Sequence, residues 1–361
     1  MVMRILQVIA GLHRIGGTTT FAGELSNALA AQGEDVTMAM FREKGDDDFT
    51  LDDHVSLKSI ADIRNHPQGF DVVHVHGLWD REVFWASGWA LKNGIPLVWS
   101  PHGMLAPWAL RNRWWKKFVP WYLYVQRRLA RAAAIHVTAN QEAEWVRRLG
   151  FANPTPVIPL GTDVANVKVR QSRRTEYNPH TLLFVGRLHP VKGLENLLAA
   201  WKKVSEGTMG WRLRLVGCGT PDYGERLKQI IRNNQIDVVE MAGAKYGAEL
   251  EQEYAAADCL ILPSFTENFG GVVIDALAHG VPVITSHFSP WQEVEGLCGW
   301  WRGNTVEELV PALEEMMALP DDARHELGLN GRALVEKKYT WTAVAEQMRE
   351  VYRKVSEKIH T

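Results

Sequence analysis

Short apolar runs recur along this chain, each closed by a glycine, a proline or a polar loop and each followed by a stretch of helical periodicity. Strand-like runs are read over 4–10, 36–41, 72–76, 96–100 and 135–138. They return over 181–185, 212–216, 238–241, 260–262 and 281–285. Strands that alternate with helices predict a doubly wound α/β arrangement. The alternation occurs twice, and 361 residues are enough for two domains of ordinary size. Domains are therefore expected over 1–160 and 161–340, with the Pro-, Asn- and Arg-rich stretch 154–179 as the hinge. A last amphipathic helix, 342–358, falls in a closing segment 341–361.

Composition excludes several classes. Apolar residues make up 46% and charged residues 23%, as in a soluble globular protein. A net charge of −2 gives no global pull toward nucleic acid. Cys218, Cys259 and Cys298 lie far apart and form no C-x-x-C pair, so neither a disulfide framework nor a zinc site is expected. The opening MVMRILQVIAGL is too short for a signal peptide. No run approaches the ~18 apolar residues of a membrane-spanning helix. These features fit a reducing cytosol. The turn Gly217-Cys218-Gly219 is not a dinucleotide fingerprint, because Asp222 stands where the third glycine belongs.

The stretch 262–284, LPSFTENFGGVVIDALAHGVPVI, organises the rest. The strand 260–262 stops at Pro263-Ser264, and a polar loop follows with Glu267, Asn268, Phe269, Gly270 and Gly271. Val272, Val273, Ala276 and Leu277 then recur at helical spacing until Gly280. In an open parallel sheet ligands sit just past the carboxyl ends of strands. Gly270-Gly271 lets backbone N–H groups approach a ligand closely, and the start of the following helix favours an anion. Glu267 and Asp275 flank that place.

The spacing Glu267-x7-Asp275 resembles the E-x7-E motif of retaining GT-B glycosyltransferases of the family 4 type, with Asp as the second acid. Gly186-Arg187 through Lys192-Gly193 resembles that family's G-R-x4-K-G element. Two cations beside a helix start also suit a diphosphate on charge grounds alone, although surface cations are the bland alternative. Ser100-Pro101-His102-Gly103 is similar to a signature of bacterial envelope enzymes of this type. The resemblance implies a GT-B fold, two Rossmann-like domains facing across a deep cleft, with the last helix crossing back to the N-terminal domain. It implies an N-terminal acceptor-binding domain and a C-terminal domain for the nucleotide sugar. Gly16 and Gly17 look like its N-terminal glycine loop, and Gly243 closes a strand where backbone contacts the base. Arg187 and Lys192 would stabilise the leaving diphosphate, and Asp275 would hold the ribose hydroxyls. Glu267, Asn268, Phe269, Gly270 and Gly271 would position sugar and phosphate, and His102 would lie near the transferred sugar and the acceptor.

His74 and His76 flank Val75 at the end of a strand. They are expected to face apart, each a structural histidine and not a metal pair. Asp46-Asp47-Asp48 reads as a solvated acidic loop. No metal and no cofactor are expected, since the nucleotide sugar is a substrate.

The stretch 108–131, WALRNRWWKKFVPWYLYVQRRLAR, carries seven Arg or Lys and seven aromatics. Drawn as a helix before Pro120, Trp108, Trp115, Phe118 and Val119 share one side, while Arg113, Lys116 and Lys117 share the other. Beyond Pro120, Trp121, Val125, Leu129 and Ala132 line up opposite Arg127 and Arg131. Basic faces opposite Trp-rich faces suit an anionic membrane interface; the alternative is a core-packed helical pair with a solvated basic face. Trp108, Arg113, Trp114, Trp115, Lys116, Lys117, Trp121 and Arg127 are the membrane or acceptor candidates.

The expected activity is transfer of a hexose from a UDP-sugar or GDP-mannose to a glycan or lipid-linked acceptor of the bacterial cell surface. The expected location is cytoplasmic, on the inner face of the cytoplasmic membrane. A nucleotide-sugar epimerase of the same architecture, or a non-catalytic membrane-associated partner protein, are the alternatives. No nucleic-acid partner is expected.

Overall fold

The computed structural model describes residues 2–12, 17–41, 49–165, 167–169, 179–205 and 210–357. The chain divides into two compact units, Met1–Gly161 with Trp341–Thr361, and Thr162–Thr340. The first sheet is built from β1 (Arg4–Val8), β2 (Asp35–Met40), β3 (Ser56–Ser59), β4 (Val72–His76), β5 (Leu97–Ser100) and β6 (Ala134–Ile135). Its spatial order is β3-β2-β1-β4-β5-β6, and the pairs are parallel. The second sheet holds β7 (His180–Val185), β8 (Trp211–Val216), β9 (Val239–Gly243), β10 (Cys259–Leu262), β11 (Val283–Ser286) and β12 (Gly299–Arg302). Its order is β12-β11-β10-β7-β8-β9, again parallel. Counted from its own first strand, each sheet has the order 3-2-1-4-5-6 of a Rossmann fold.

Central strands are buried on both faces, which is why they read as continuous apolar runs. Leu260, Ile261 and Leu262 are fully buried, as are Leu182, Leu183 and Phe184. Two strands have no counterpart in the sequence reading. β3, Ser-Leu-Lys-Ser, is an edge strand exposed along its length and carries no apolar run. β12 follows β11 through a loop and a short turn and not through a full helix, so the strand–helix alternation does not announce it.

The C-terminal helix, Trp341–Glu357, belongs to the first unit. Val344, Ala345, Met348, Tyr352 and Val355 enter the apolar cluster that holds Ile5, Phe21, Leu25 and Val36. Its amphipathic spacing thus closes the core on one side of the first sheet.

The basic-aromatic stretch forms a short helix, Pro107–Arg111, and then helical chain from Trp114 to Leu129. The interruption falls at Arg113, whose φ is +50°, and not at Pro120. Residues Trp121–Val125 adopt a π-helical turn directly after Pro120, which has no backbone N–H to donate. The expected helix spanning 108–119 is therefore two pieces. Val125, Leu129 and Ala132 do face the core, and Trp121 packs against it beside Trp79 and Phe151.

Candidate active site

In the second unit the loops that follow β7 and β10 are fastened to each other. The Phe265 amide donates to the Val191 carbonyl at 2.8 Å. Lys192 Nζ pairs with Glu267 Oε1, and the Ser264 hydroxyl donates to the same oxygen at 2.8 Å. Both charged side chains are largely buried, so the pair is shielded from solvent screening. Gly193 sits where β-carbon chemistry is excluded: its φ is +69°, and a Cβ would lie 2.2 Å from the Pro263 carbonyl oxygen. Asn304 Nδ2 braces the Pro263 and Ser264 carbonyls at 3.3 Å, and the Ser286 hydroxyl donates to Ser264 at 2.6 Å.

The polar loop ends at Gly270, left-handed with φ +81°, and the helix Gly271–Ala278 follows. Its N-cap, Gly270, has no side chain to cap the start, and the Val273 amide bonds back to the Gly270 carbonyl at 2.9 Å. Phe269 turns its ring into Trp291 and Tyr339, at centroid distances of 5.1 and 6.2 Å, and its carbonyl accepts from Trp291 Nε1 at 2.6 Å. Arg187 is exposed just past β7. Gly243 closes β9, where its carbonyl accepts from the Gly217 amide at 2.7 Å. Asp275, one turn into the helix, accepts from Thr162 Oγ1 at 3.2 Å. Burial pushes its carboxyl up to about 7; the Thr162 bond opposes that and the charge of Glu251 adds to it.

In the first unit β5 delivers Ser100, Pro101 and His102. His102 has φ +50°, a sparsely allowed value for a non-glycine residue, and Gly103 follows at +76°. Glu142 holds this turn: its Oε1 accepts from the Gly103 amide at 2.5 Å and its Oε2 from the Thr138 amide at 3.0 Å. Burial raises its pKa, while those amide bonds lower it.

His74 and His76 do not face apart. Residues two apart on a strand share a face. His74 and His76 do so, with ring centroids 4.1 Å apart. They also bond to other side chains: His76 Nδ1 lies 3.0 Å from His102 Nε2. Even so, among the described residues no group of three or more His, Cys, Asp or Glu is arranged to hold a metal ion.

Gly17 opens the helix Gly17–Ala31 and is exposed. Gly16 and the acidic loop Asp46-Asp47-Asp48 lie outside the described residues. Of the membrane candidates, Trp108, Trp114 and Trp115 are 50%, 61% and 60% exposed. Arg113, Lys116 and Arg127 are also exposed. Lys117 instead donates to the Ala109 and Asn112 carbonyls, and Trp121 is turned inward. No helix among the described residues is long and apolar enough to cross a membrane.

Two family models match consecutive parts of the chain. "Glycosyltransferase Family 4" matches residues 15–166 and "Glycosyl transferases group 1" matches residues 167–334. The chain is a GT-B glycosyltransferase of the family 4 type. Among its relatives is the D-inositol 3-phosphate glycosyltransferase of Kineococcus radiotolerans, 27% identical over 323 residues, 81% of this chain and 74% of that one. The MMP α-(1→4)-mannosyltransferase of Mycolicibacterium hassiacum is 27% identical over 314 residues, 83% of this chain and 74% of that one. In structure the glycosyltransferase is similar to Anabaena HepE in complex with UDP and glucose. The TM-score is 0.77 at 18% identity, over 98% of this chain and 100% of that one, which speaks to the fold.

Several residues that shape the glycosyltransferase's loops escaped the sequence reading. Ser264, Asn304 and Ser286 brace the Glu267 loop through hydrogen bonds that no spacing rule encodes. Thr162 reaches Asp275 from 113 positions away. Gln7 did carry a signal, as an amide set among Ile5, Leu6 and Val8.

The raised Asp275 pKa has a consequence for stability. Between its unfolded value near 3.8 and its folded value of about 7, the folded chain holds a proton that the unfolded chain lacks. Its contribution is full below about pH 4 and is lost as pH rises to about 7. Relative to Asp275→Asn, which does not titrate, the wild-type melting temperature should therefore fall between pH 5 and pH 8. Melting curves that keep a constant offset between the two proteins would contradict the buried carboxyl.

Proposed function

We propose that this glycosyltransferase transfers a hexose, with retention and without a metal, from a nucleoside-diphosphate sugar to a lipid-linked glycan acceptor. The fastened loops after β7 and β10 carry the reading. Arg187, Lys192 and the uncapped start of the helix Gly271–Ala278 supply cations and N–H donors at the carboxyl edge of one sheet. That is what a departing diphosphate requires, because negative charge develops on it as the glycosidic bond breaks. Asp275 is assigned to the ribose hydroxyls. Glu267, Asn268 and the backbone of Phe269–Gly271 are assigned to sugar and phosphate. His102 is assigned to a substrate hydroxyl in the N-terminal unit. The acceptor hydroxyl attacks from the face that the nucleotide leaves, its proton passing to donor phosphate, so the chain supplies no nucleophile. The complex of HepE with UDP and glucose favours UDP among the nucleotides, and the mannosyltransferase relative keeps GDP open.

The lipid-linked acceptor is supported by the exposed surface of the stretch 114–123. Trp114, Trp115, Phe118, Val119, Tyr122 and Leu123 are between 53% and 68% exposed and follow one another at helical spacing. Arg111, Arg113 and Lys116 are exposed beside them. Aromatic side chains interleaved with basic ones suit the headgroup region of an anionic bilayer. On this reading the enzyme works at the inner face of the cytoplasmic membrane, in cell-surface polysaccharide or lipopolysaccharide synthesis.

Thermal unfolding with UDP, GDP, ADP and NAD, each without metal, tests the donor site. A ligand in ~100-fold excess over its Kd stabilises the folded state by about 2.7 kcal/mol. UDP or GDP should raise the melting temperature, and Arg187→Ala should weaken binding about ten-fold or more, since it removes a charge-assisted hydrogen bond; Asp275→Ala should weaken it less, by the loss of an acceptor for the ribose hydroxyls. A shift with NAD alone would overturn the reading, and no shift with any nucleotide would leave a binding role only.

Sedimentation with phosphatidylglycerol vesicles tests the surface. The wild type should pellet with them more than with phosphatidylcholine vesicles. Replacing Trp114, Trp115 and Leu123 together by serine should lower partition at least about ten-fold, as expected when three large apolar side chains are lost. Equal partition of both proteins would contradict the membrane role.

A further inference from the structure

A continuous chain of hydrogen bonds runs inward from His102 through side chains of β1, β4, β5 and the C-terminal helix. Its direction is set at the far end. His136 Nε2 lies 2.9 Å from the Ile158 carbonyl oxygen, which can only accept. A neutral imidazole that donates from Nε2 accepts at Nδ1. The Ser100 hydroxyl, 2.6 Å from His136 Nδ1, therefore gives its single proton there. Ser100 Oγ then accepts from His74 Nε2 at 2.6 Å. His74 Nδ1 is left as an acceptor, and the Tyr352 hydroxyl donates to it at 2.6 Å.

The second half follows in the same way. Having spent its proton, Tyr352 accepts from Gln7 Nε2 at 3.1 Å. That orientation turns Gln7 Oε1 to His76 Nε2, 2.7 Å away, which must carry a proton. His76 Nδ1 accepts, so His102 Nε2 donates to it across 3.0 Å. Each link has one direction once the carbonyl end is fixed. The chain needs neutral imidazoles, and burial supplies them: it holds His74 and His76 well below the usual value and takes His102 to about 3 and His136 to about 4. The His102 ring is also held in place, stacked on His76 at 5.3 Å and edge-on to Phe21 at 5.2 Å. Its Nδ1 has no hydrogen-bond partner among the described residues.

We infer that this relay locks His102 as the Nε2–H tautomer and leaves Nδ1 as a neutral proton acceptor for a hydroxyl of a sugar substrate. Gln7, Tyr352, Ser100 and His136 are positioning residues that act on His102 through His76. The tautomer follows from the relay alone; only the identity of the hydroxyl rests on the glycosyl-transfer reading. A lone pair at this position attracts a donating hydroxyl and repels an anionic group such as a carboxylate.

Long-range 1H–15N correlation spectra of the full chain, with His102 assigned by its loss in His102→Gln, test the inference. His102 should give a single Nε2–H tautomer at neutral pH. Tyr352→Phe keeps the ring but removes the link between Gln7 and His74, and should give a mixture of His102 tautomers. Ser100→Ala, cut one link further along, should do the same and stands in if Tyr352→Phe does not fold. An Nδ1–H tautomer in the wild type, or an unchanged tautomer in both variants, would overturn the relay. Adding a substrate that the enzyme turns over should shift the His102 Nδ1 resonance while Nε2–H persists. An unmoved Nδ1 would overturn the acceptor role and leave glycosyl transfer standing. Failure of every nucleotide to bind would strike the glycosyl-transfer reading and leave the wild-type tautomer intact.

Discussion

Parallel pairing forces each strand to be followed by a crossover, so the loops that leave the strands collect along one edge of each sheet. Both sheets here obey it, and both use the same strand order. In the second unit the edge is formed by the loops after β7, β8, β9 and β10. Helix starts and glycine turns fall there together, and cations sit within them. An anion site needs that combination, since N–H groups and side-chain charge act on the same ligand.

The edge is held together by contacts that are expensive to lose. Lys192 and Glu267 form a largely buried pair, and removing either partner would leave the other charge without compensation. The Gly193 backbone passes so close to the Pro263 carbonyl that a side chain is excluded. The Lys192 ammonium is thereby held in place, and on the proposed donor reading less side-chain freedom would be lost on binding. Around His102 the first unit applies the same logic without ion pairs. A strained His102, a buried Glu142 and a run of histidines fix a turn through hydrogen bonds instead of charge pairs.

Much of this was legible in the sequence, and the physical reason differs from part to part. Buried parallel strands are apolar throughout, so they stood out; the Glu267–Asp275 and Arg187–Lys192 spacings lie within single loops and helices, where sequence distance is spatial distance. The exposed edge strand β3 lacked that signature. The relay behind His102 joins positions as far apart as Gln7 and Tyr352, and only the tertiary fold brings them together. Pro120 misled because a π-helical turn carries the helix past it. At 74 and 76 the two-residue strand period puts both histidines on one side, so alternation with Val75 is no sign that they face apart.

The most direct measurement is product analysis with the nucleotide sugar that raises the melting temperature, run with and without a lipid-linked acceptor. Glycosyl transfer with retention requires an α-linked product from an α-configured donor, formed only when acceptor is present. A β-linked product would contradict the front-face route, and a donor epimerised in the absence of acceptor would contradict glycosyl transfer.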